Sequence, residues 1–117
     1  MKLTLLLILL MQVILNANTF EKNMAACDKN DSSACLQVGY LYRVGKTPDK
    51  KVDIRKSIQY LVKSCDMNNG VACRSLGYKY YYGRHVEKDT NKAKEYLDKA
   101  CRANDLVSCA MYKEITE

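Results

Sequence analysis

Six cysteines in three equally spaced pairs constrain the fold of this chain more than any other feature. The stretches are "CDKNDSSAC" at 27–35, "CDMNNGVAC" at 65–73 and "CRANDLVSC" at 101–109, and they contain every cysteine of the chain. Successive pairs are separated by periods of 38 and 36 residues. A period of about 20–50 residues is typical of solenoids, in which each repeat is one supersecondary unit. The sequence therefore predicts a string of similar units with one cysteine pair at each junction.

The residues between the cysteine pairs also repeat, and their pattern is helical. "SACLQVGYLYRVG" at 33–45 aligns with "VACRSLGYKYYYG" at 71–83, and "DIRKSIQYLVKSC" at 53–65 aligns with "DTNKAKEYLDKAC" at 89–101. In the last segment Ala93, Tyr96, Leu97 and Ala100 lie at i, i+3, i+4 and i+7, which predicts one apolar stripe on a helix. We expect an all-α chain of antiparallel helix pairs.

Helix ends are marked by residues that favour them. Asp53 and Asp89 stand where a helix N-cap needs a hydrogen-bond acceptor, while Gly45 and Gly83 follow the preceding helices. "NNG" at 68–70 and "AND" at 103–105 supply turn residues at the junctions that carry the cysteines.

The junctions predict disulfides. Each first cysteine ends a helix and its partner begins the next, so a tight turn brings the two sulfur atoms together. Fifteen pairings are conceivable, but the repeat favours Cys27–Cys35, Cys65–Cys73 and Cys101–Cys109. Zinc ligands are usually two to four residues apart, and a thioredoxin-like site needs two residues between its cysteines. A metal or redox role is therefore the minor alternative, and no cofactor is expected.

The N-terminus predicts export. Lys2 precedes an apolar run from Leu3 to Leu15, which is shorter than the roughly 20 residues of a spanning helix. We expect residues 1–17 to be a signal peptide cleaved at or within a few residues of Ala17, leaving 18–117 as one repeat domain, secreted or periplasmic and without a stable membrane anchor. An uncleaved N-terminal anchor is the alternative. The chain has a net charge of +6, but its basic residues are interleaved with acidic ones. This pattern favours a solvated helical surface over a nucleic-acid site.

The segment "LGYKYYYG…D…A…YLDKAC" at 76–101 resembles the Sel-one-like repeat, a relative of the tetratricopeptide repeat. The cysteine at each junction makes the chain similar to one branch, the Helicobacter cysteine-rich proteins. By this resemblance residues 33–70 and 71–106 are full repeats, and 18–32 and 107–117 are half-repeats. The resemblance implies a right-handed, disulfide-stapled solenoid. It also implies two activities, because such repeats bind proteins or peptides, whereas this branch is also classed as β-lactamases that bind and slowly hydrolyse penicillin-type rings.

The residues themselves favour the binding function. No serine has a lysine three residues later, as common serine β-lactamases require, and a pair of His85 with Ser75 or Ser108 has no support from its spacing. Catalytic residues therefore stay unknown. In related folds the first helix of each pair lines the concave groove, which makes six side chains candidates for partner contact: Leu36, Tyr40, Arg43, Arg74, Tyr78 and Tyr81. We expect a monomeric module for a protein or peptide, with a β-lactam as the alternative ligand.

Overall fold

The structure is a computed structural model that covers residues 1–117 and describes the side chains of residues 1–14 and 19–117. It consists of six helices, and no strand occurs along the described backbone. The helices are α1 (Lys2–Asp28), α2 (Ser32–Val44), α3 (Ile54–Asp66), α4 (Gly70–Tyr82), α5 (Thr90–Arg102) and α6 (Leu106–Thr116). Each helix packs mainly on its neighbours in the sequence, as in a solenoid. The predicted all-α solenoid of stapled helix pairs is thus confirmed.

The helix ends follow from local chemistry. The Asp53 and Asp89 side chains each accept a hydrogen bond from the backbone N–H three residues later, at 3.0 Å, so both are N-caps as predicted. Gly45 and Gly83 close α2 and α4 with φ of 74° and 67°, a left-handed conformation that glycine adopts without steric cost. These residues fix where the chain reverses between the two helices of a pair.

The junctions between pairs share a second kind of turn. Asn30, Asn68 and Asn104 follow α1, α3 and α5, and each has a positive φ between 64° and 67°. Asparagine tolerates this conformation better than most residues. The next residue in each case caps the following helix through its side chain. All three junctions therefore have the same backbone path.

Each junction carries a disulfide. The structure pairs Cys27 with Cys35, Cys65 with Cys73, and Cys101 with Cys109, with Cα–Cα distances of 4.6, 4.7 and 4.6 Å. The first two disulfides are completely buried in the two core clusters, while the third is partly exposed on the last pair of helices. The first two disulfides are therefore part of the hydrophobic core.

Two glycines allow the helices within a pair to approach closely. A Cβ atom on Gly77 would lie 2.8 Å from the Leu97 side chain, and one on Gly39 would lie 3.2 Å from the Ser57 carbonyl oxygen. The Ser57 hydroxyl donates a 2.7 Å hydrogen bond to the Gly39 carbonyl oxygen. Close backbone approach explains why glycine occupies the same place in both repeats.

The N-terminal helix has two different halves. Its first half is apolar and exposed, as the 77% exposure of Leu3 illustrates. Its last turns pack Phe20, Met24 and Cys27 against α2. By length and composition α1 could cross a membrane, a property that it shares with signal sequences near an N-terminus. The cleavage site predicted after Ala17 lies among residues 15–18, outside the described side chains.

Candidate functional site

The first helices of the pairs, α2, α4 and α6, form one side of the solenoid. Between α4 and α6 this side opens into a cavity of about 480 Å³, which we call the tyrosine groove. The groove is lined by Tyr78, Tyr81 and Tyr82 of α4 and by Val107, Ala110, Met111, Glu114 and Ile115 of α6. It is an open concavity that exposes both polar and apolar surface, with phenol groups on one wall and one carboxylate on the other.

Tyr82 contacts the other two groove tyrosines edge to face. The Tyr82 ring centroid lies 5.0 Å from that of Tyr81 and 6.3 Å from that of Tyr78, with interplanar angles of 87° and 72°. Such contacts are favourable between aromatic quadrupoles and restrict the rings. Tyr82 is nevertheless 55% exposed. The groove therefore offers aromatic rings at steep angles to one another that are partly ordered before any partner arrives.

The other tyrosines of the repeats serve packing. Tyr42 stacks on Tyr60 at 5.6 Å, and Tyr80 stacks on Tyr96 at 5.8 Å, so the same pair joins the helices in both repeats. Burial raises the pKa of Tyr96 and of Tyr60 above the ordinary tyrosine value. The tyrosines thus divide into a structural set shared by the repeats and a groove set found on α4.

The structure places the six candidate contact residues in different environments. Tyr78 and Tyr81 line the groove. Tyr40 is half-buried, and the Arg43 guanidinium lies over its ring at 5.2 Å. Leu36, in contrast, is only 8% exposed and belongs to the central core cluster. We therefore leave Leu36 out of the proposed contact surface.

Arg74 has a partner within the chain. Its Nη1 atom lies 3.0 Å from Oδ2 and 3.2 Å from Oδ1 of Asp105, whose side chain is only 8% exposed. Asp105 is also the N-cap of α6 and accepts hydrogen bonds from the Ser108 backbone N–H and hydroxyl at 3.0 and 2.8 Å. Arg74 therefore holds α6 against α4 and positions the far wall of the groove.

One polar residue on α4 escaped the sequence analysis. Lys79 is 8% exposed and continues the stripe of Ala72 and Leu76, which faces the core. The pKa of Lys79 is lowered below the ordinary lysine value by burial and by the positive charges of Arg43 and Arg84. Its equivalent in the first repeat is Leu41, which packs against a core cluster. This contrast between repeats is the sequence signal that could have identified Lys79.

The residues considered for hydrolysis lie in different environments, and Ser75 is half-buried on α4. Ser108 is completely buried, and its hydroxyl donates to Asp105. Ser57 and Ser64 are also buried, and their hydroxyls donate to backbone carbonyl oxygens at 2.7 Å. His85 is exposed in the turn after α4. Among the described residues no cluster of three or more His, Cys, Asp or Glu side chains could hold a metal ion.

Comparison with known proteins shows which repeat family and which solved structures the chain resembles. The Sel1 repeat family matches residues 32–69 and 70–105. The structure resembles that of Helicobacter pylori cysteine rich protein B with a TM-score of 0.71 and 35% sequence identity, over 79% of this chain and 68% of that one. It also resembles a Sel1 repeat protein from Oxalobacter formigenes with a TM-score of 0.70 and 26% identity, over 80% of this chain but only 37% of that one.

No match was found among curated proteins. The two repeat matches together cover more than half of the chain, and the structural relative shares both the helix pairs and a cysteine-rich composition that its name states. The chain therefore belongs to the Sel1 repeat family, in a form that resembles the Helicobacter cysteine-rich proteins.

Proposed function

We propose that the chain is an extracytoplasmic binding module that holds a protein or peptide segment in the tyrosine groove. The single observation that supports this most is the groove itself, which presents three tyrosines to solvent. Tyrosine contributes disproportionately to interface energetics because one side chain offers a large rigid apolar area together with a hydroxyl group. Sel1 repeats generally mediate protein–protein interactions, which agrees with this use.

Export is part of the proposal. Disulfides form and persist mainly in oxidising compartments, and this small chain contains three of them. The apolar first half of α1 has little packing against the repeats, so its removal by a signal peptidase would leave the core clusters intact. We propose that the mature protein consists of residues 18–117 and acts as a monomer in the periplasm or outside the cell.

The β-lactamase alternative receives no support. It rested on resemblance alone, and the three buried serines have hydroxyl groups already used for hydrogen bonds that join helices or cap them. The groove contains no serine or lysine among its lining residues. The groove lining carries three phenols and the Glu114 carboxylate, but not the serine and lysine pair that the common serine β-lactamases use.

The test is selection of binders from a random 12-residue peptide library displayed on phage, with the oxidised protein as bait. Selected peptides should be synthesised with a fluorescent label and their Kd values measured by anisotropy. Tyr78→Ala and Tyr81→Ala should each raise Kd about tenfold, since interface tyrosines commonly contribute more than 1 kcal/mol.

The matched control is Tyr112→Ala, which truncates a half-buried tyrosine of α6 outside the groove. It should leave Kd within about twofold of the unchanged protein. Equal losses for all three variants would mean that the peptides bind elsewhere, and a library that yields no binders would contradict the proposed function.

A further inference from the structure

One tyrosine ring has different neighbours in the two repeats. Tyr40 on α2 and Tyr78 on α4 are equivalent positions. In the first repeat the Arg43 guanidinium lies 5.2 Å from the Tyr40 ring centroid. In the second repeat Tyr81 stands at the position of Arg43, and no cation of the described side chains lies over the Tyr78 ring. Tyr78 therefore lacks the guanidinium that its equivalent holds.

A carboxylate lies on the wall of the tyrosine groove opposite the phenols. Glu114 of α6 and Tyr78 of α4 both line the groove, and they are separated by the 36-residue period of the repeat. Glu114 is exposed, and no ion pair of its carboxylate occurs within the described part of the chain. Among the described lining residues it is the single charged side chain. The groove thus offers an open negative charge on the wall opposite its aromatic rings.

These groups match the chemistry of a guanidinium. The rings of Tyr78 and Tyr81 stand at 72° and 87° to the ring of Tyr82, so the aromatic wall offers both ring faces and ring edges. A cation is attracted to the negative face of an aromatic ring. A guanidinium is planar, so it can stack on a ring while its N–H groups donate paired hydrogen bonds to a carboxylate. A lysine ammonium is a compact point charge and does not stack in this way.

Two cations of the chain limit where a second positive charge can lie. The Arg84 guanidinium lies 5.1 Å from the Tyr82 ring centroid, and the Lys88 Nζ atom lies 6.0 Å from that of Tyr81. Both cations belong to the segment between α4 and α5, so they lie at the C-terminal end of the aromatic wall. Because like charges repel, a ligand with several cations is disfavoured at that end, whereas the Glu114 carboxylate can pair with one.

We propose that the tyrosine groove binds one arginine side chain of the partner peptide, stacked on Tyr78 and paired with Glu114. The inference rests on the proposed function and names the residue that the partner supplies. In this arrangement the guanidinium of the ligand takes the place over Tyr78 that Arg43 takes over Tyr40. Met111 of the opposite wall offers apolar contact to the peptide residues beside the arginine.

The peptide selection proposed for the groove also tests this inference. The pool selected on the unchanged protein should be enriched in peptides that contain one arginine. A protein with a net charge of +6 attracts acidic peptides non-specifically, so this enrichment would run against the overall field. For one selected peptide, Kd should rise about tenfold with Glu114→Gln, and equally when citrulline, the neutral isostere, replaces the arginine. The two changes combined should add little to either one alone, because both remove the same pair.

Two comparisons separate recognition of the arginine from other effects. The matched control is Glu95→Gln on α5, which removes the same charge from an exposed glutamate outside the groove. It should leave the enrichment and Kd unchanged. Glu114→Gln should unfold at the same temperature as the unchanged protein, because an exposed carboxylate without an ion pair contributes little to stability. The citrulline peptide alters nothing in the protein, so its loss of affinity decides the question even if Glu114→Gln is less stable.

Each other outcome overturns the inference. Peptides without arginine that bind Glu114→Gln as well as the unchanged protein, but bind Tyr78→Ala weakly, would remove the guanidinium site and keep the groove as a binding site. Equal Kd values for a peptide and its version with lysine in place of arginine would assign the site to any cation. Equal losses with Glu114→Gln and Glu95→Gln would make the effect one of net charge. A library that yields no binders would contradict the proposed function and this inference with it.

Discussion

Asp105 joins two interactions that substitution can separate. It caps α6, accepting from the Ser108 backbone N–H at 3.0 Å, and it pairs with Arg74 at 3.0 Å. The equivalent cap of α4 is Asn69, which accepts from the Ala72 N–H at 3.0 Å without any charge. Asp105→Asn should therefore keep the cap and lose the ion pair, whereas Asp105→Ala should lose both.

The magnitudes follow from the exposure of the two partners. A hydrogen bond between charged groups contributes about 1.5–3 kcal/mol, and we take the lower end because the Arg74 side chain is 28% exposed to screening solvent. Asp105→Asn should thus lower the free energy of unfolding by about 1.5 kcal/mol. Loss of an N-cap costs about 1 kcal/mol more, so Asp105→Ala should lower it by about 2.5 kcal/mol.

The assay is urea denaturation of the oxidised protein, with hydrogen exchange on α6 as a local readout. Arg74→Met should match Asp105→Asn, and the double variant should be no less stable than either single one, since both remove the same pair. Faster exchange should be concentrated in α6. If Asp105→Asn were as harmful as Asp105→Ala, or if the losses of Arg74→Met and Asp105→Asn simply added, the ion pair would not be the element that holds α6 on α4.

Three further changes test other parts of the fold. Replacing Cys65 and Cys73 together by alanine should lower the free energy of unfolding by about 2.5 kcal/mol. This is the closure entropy of the loop between two cysteines that are eight residues apart, and the measurement is the shift of the urea denaturation midpoint. Gly77→Ala should destabilise the chain by about 1 kcal/mol, and by more than Gly39→Ala does. The reason is that a Cβ atom added at Gly77 lies 2.8 Å from the Leu97 side chain, whereas the atoms nearest to a Cβ at Gly39 are 3.2–3.3 Å away. Equal thermal midpoints for the two variants would contradict this. The pKa of Lys79 in the folded chain lies below its unfolded value of about 10.5, so at a pH between the two values the unfolded chain binds more protons than the folded chain. In that pH range the stability of the unchanged protein should therefore rise with pH relative to that of the Lys79→Met variant. An identical dependence of stability on pH in these two proteins would refute a lowered pKa of Lys79 in the folded chain.

Much of the architecture is encoded locally. The capping role of Asp53 and Asp89 and the glycine ends at Gly45 and Gly83 were predicted from single residues, because a cap depends on atoms within one turn of helix. The disulfide-stapled helix pairs were predicted from the period and the cysteine spacing, since a short turn between consecutive helices leaves few alternatives for two cysteines eight residues apart.

The environment of the groove residues could not be predicted in the same way. Leu36 and Arg74 are equivalent positions of α2 and α4, yet Leu36 is buried in the central core cluster whereas Arg74 is partly exposed, because different helices pack on the two positions. Arg74 resembles a free contact residue in the sequence, yet Asp105 lies 31 positions away and reaches it through the approach of α6 to α4.

The sequence by itself therefore determined the class of fold, the number of junctions and the cysteine pairs, because each depends on spacing along the chain. Only the tertiary structure decided that Leu36 is core, that Arg74 is paired and that the Lys79 side chain is largely covered. Those properties arise between helices of different repeats, where burial and charge are set by neighbours distant in the sequence. The tyrosine groove between α4 and α6 is a product of that packing.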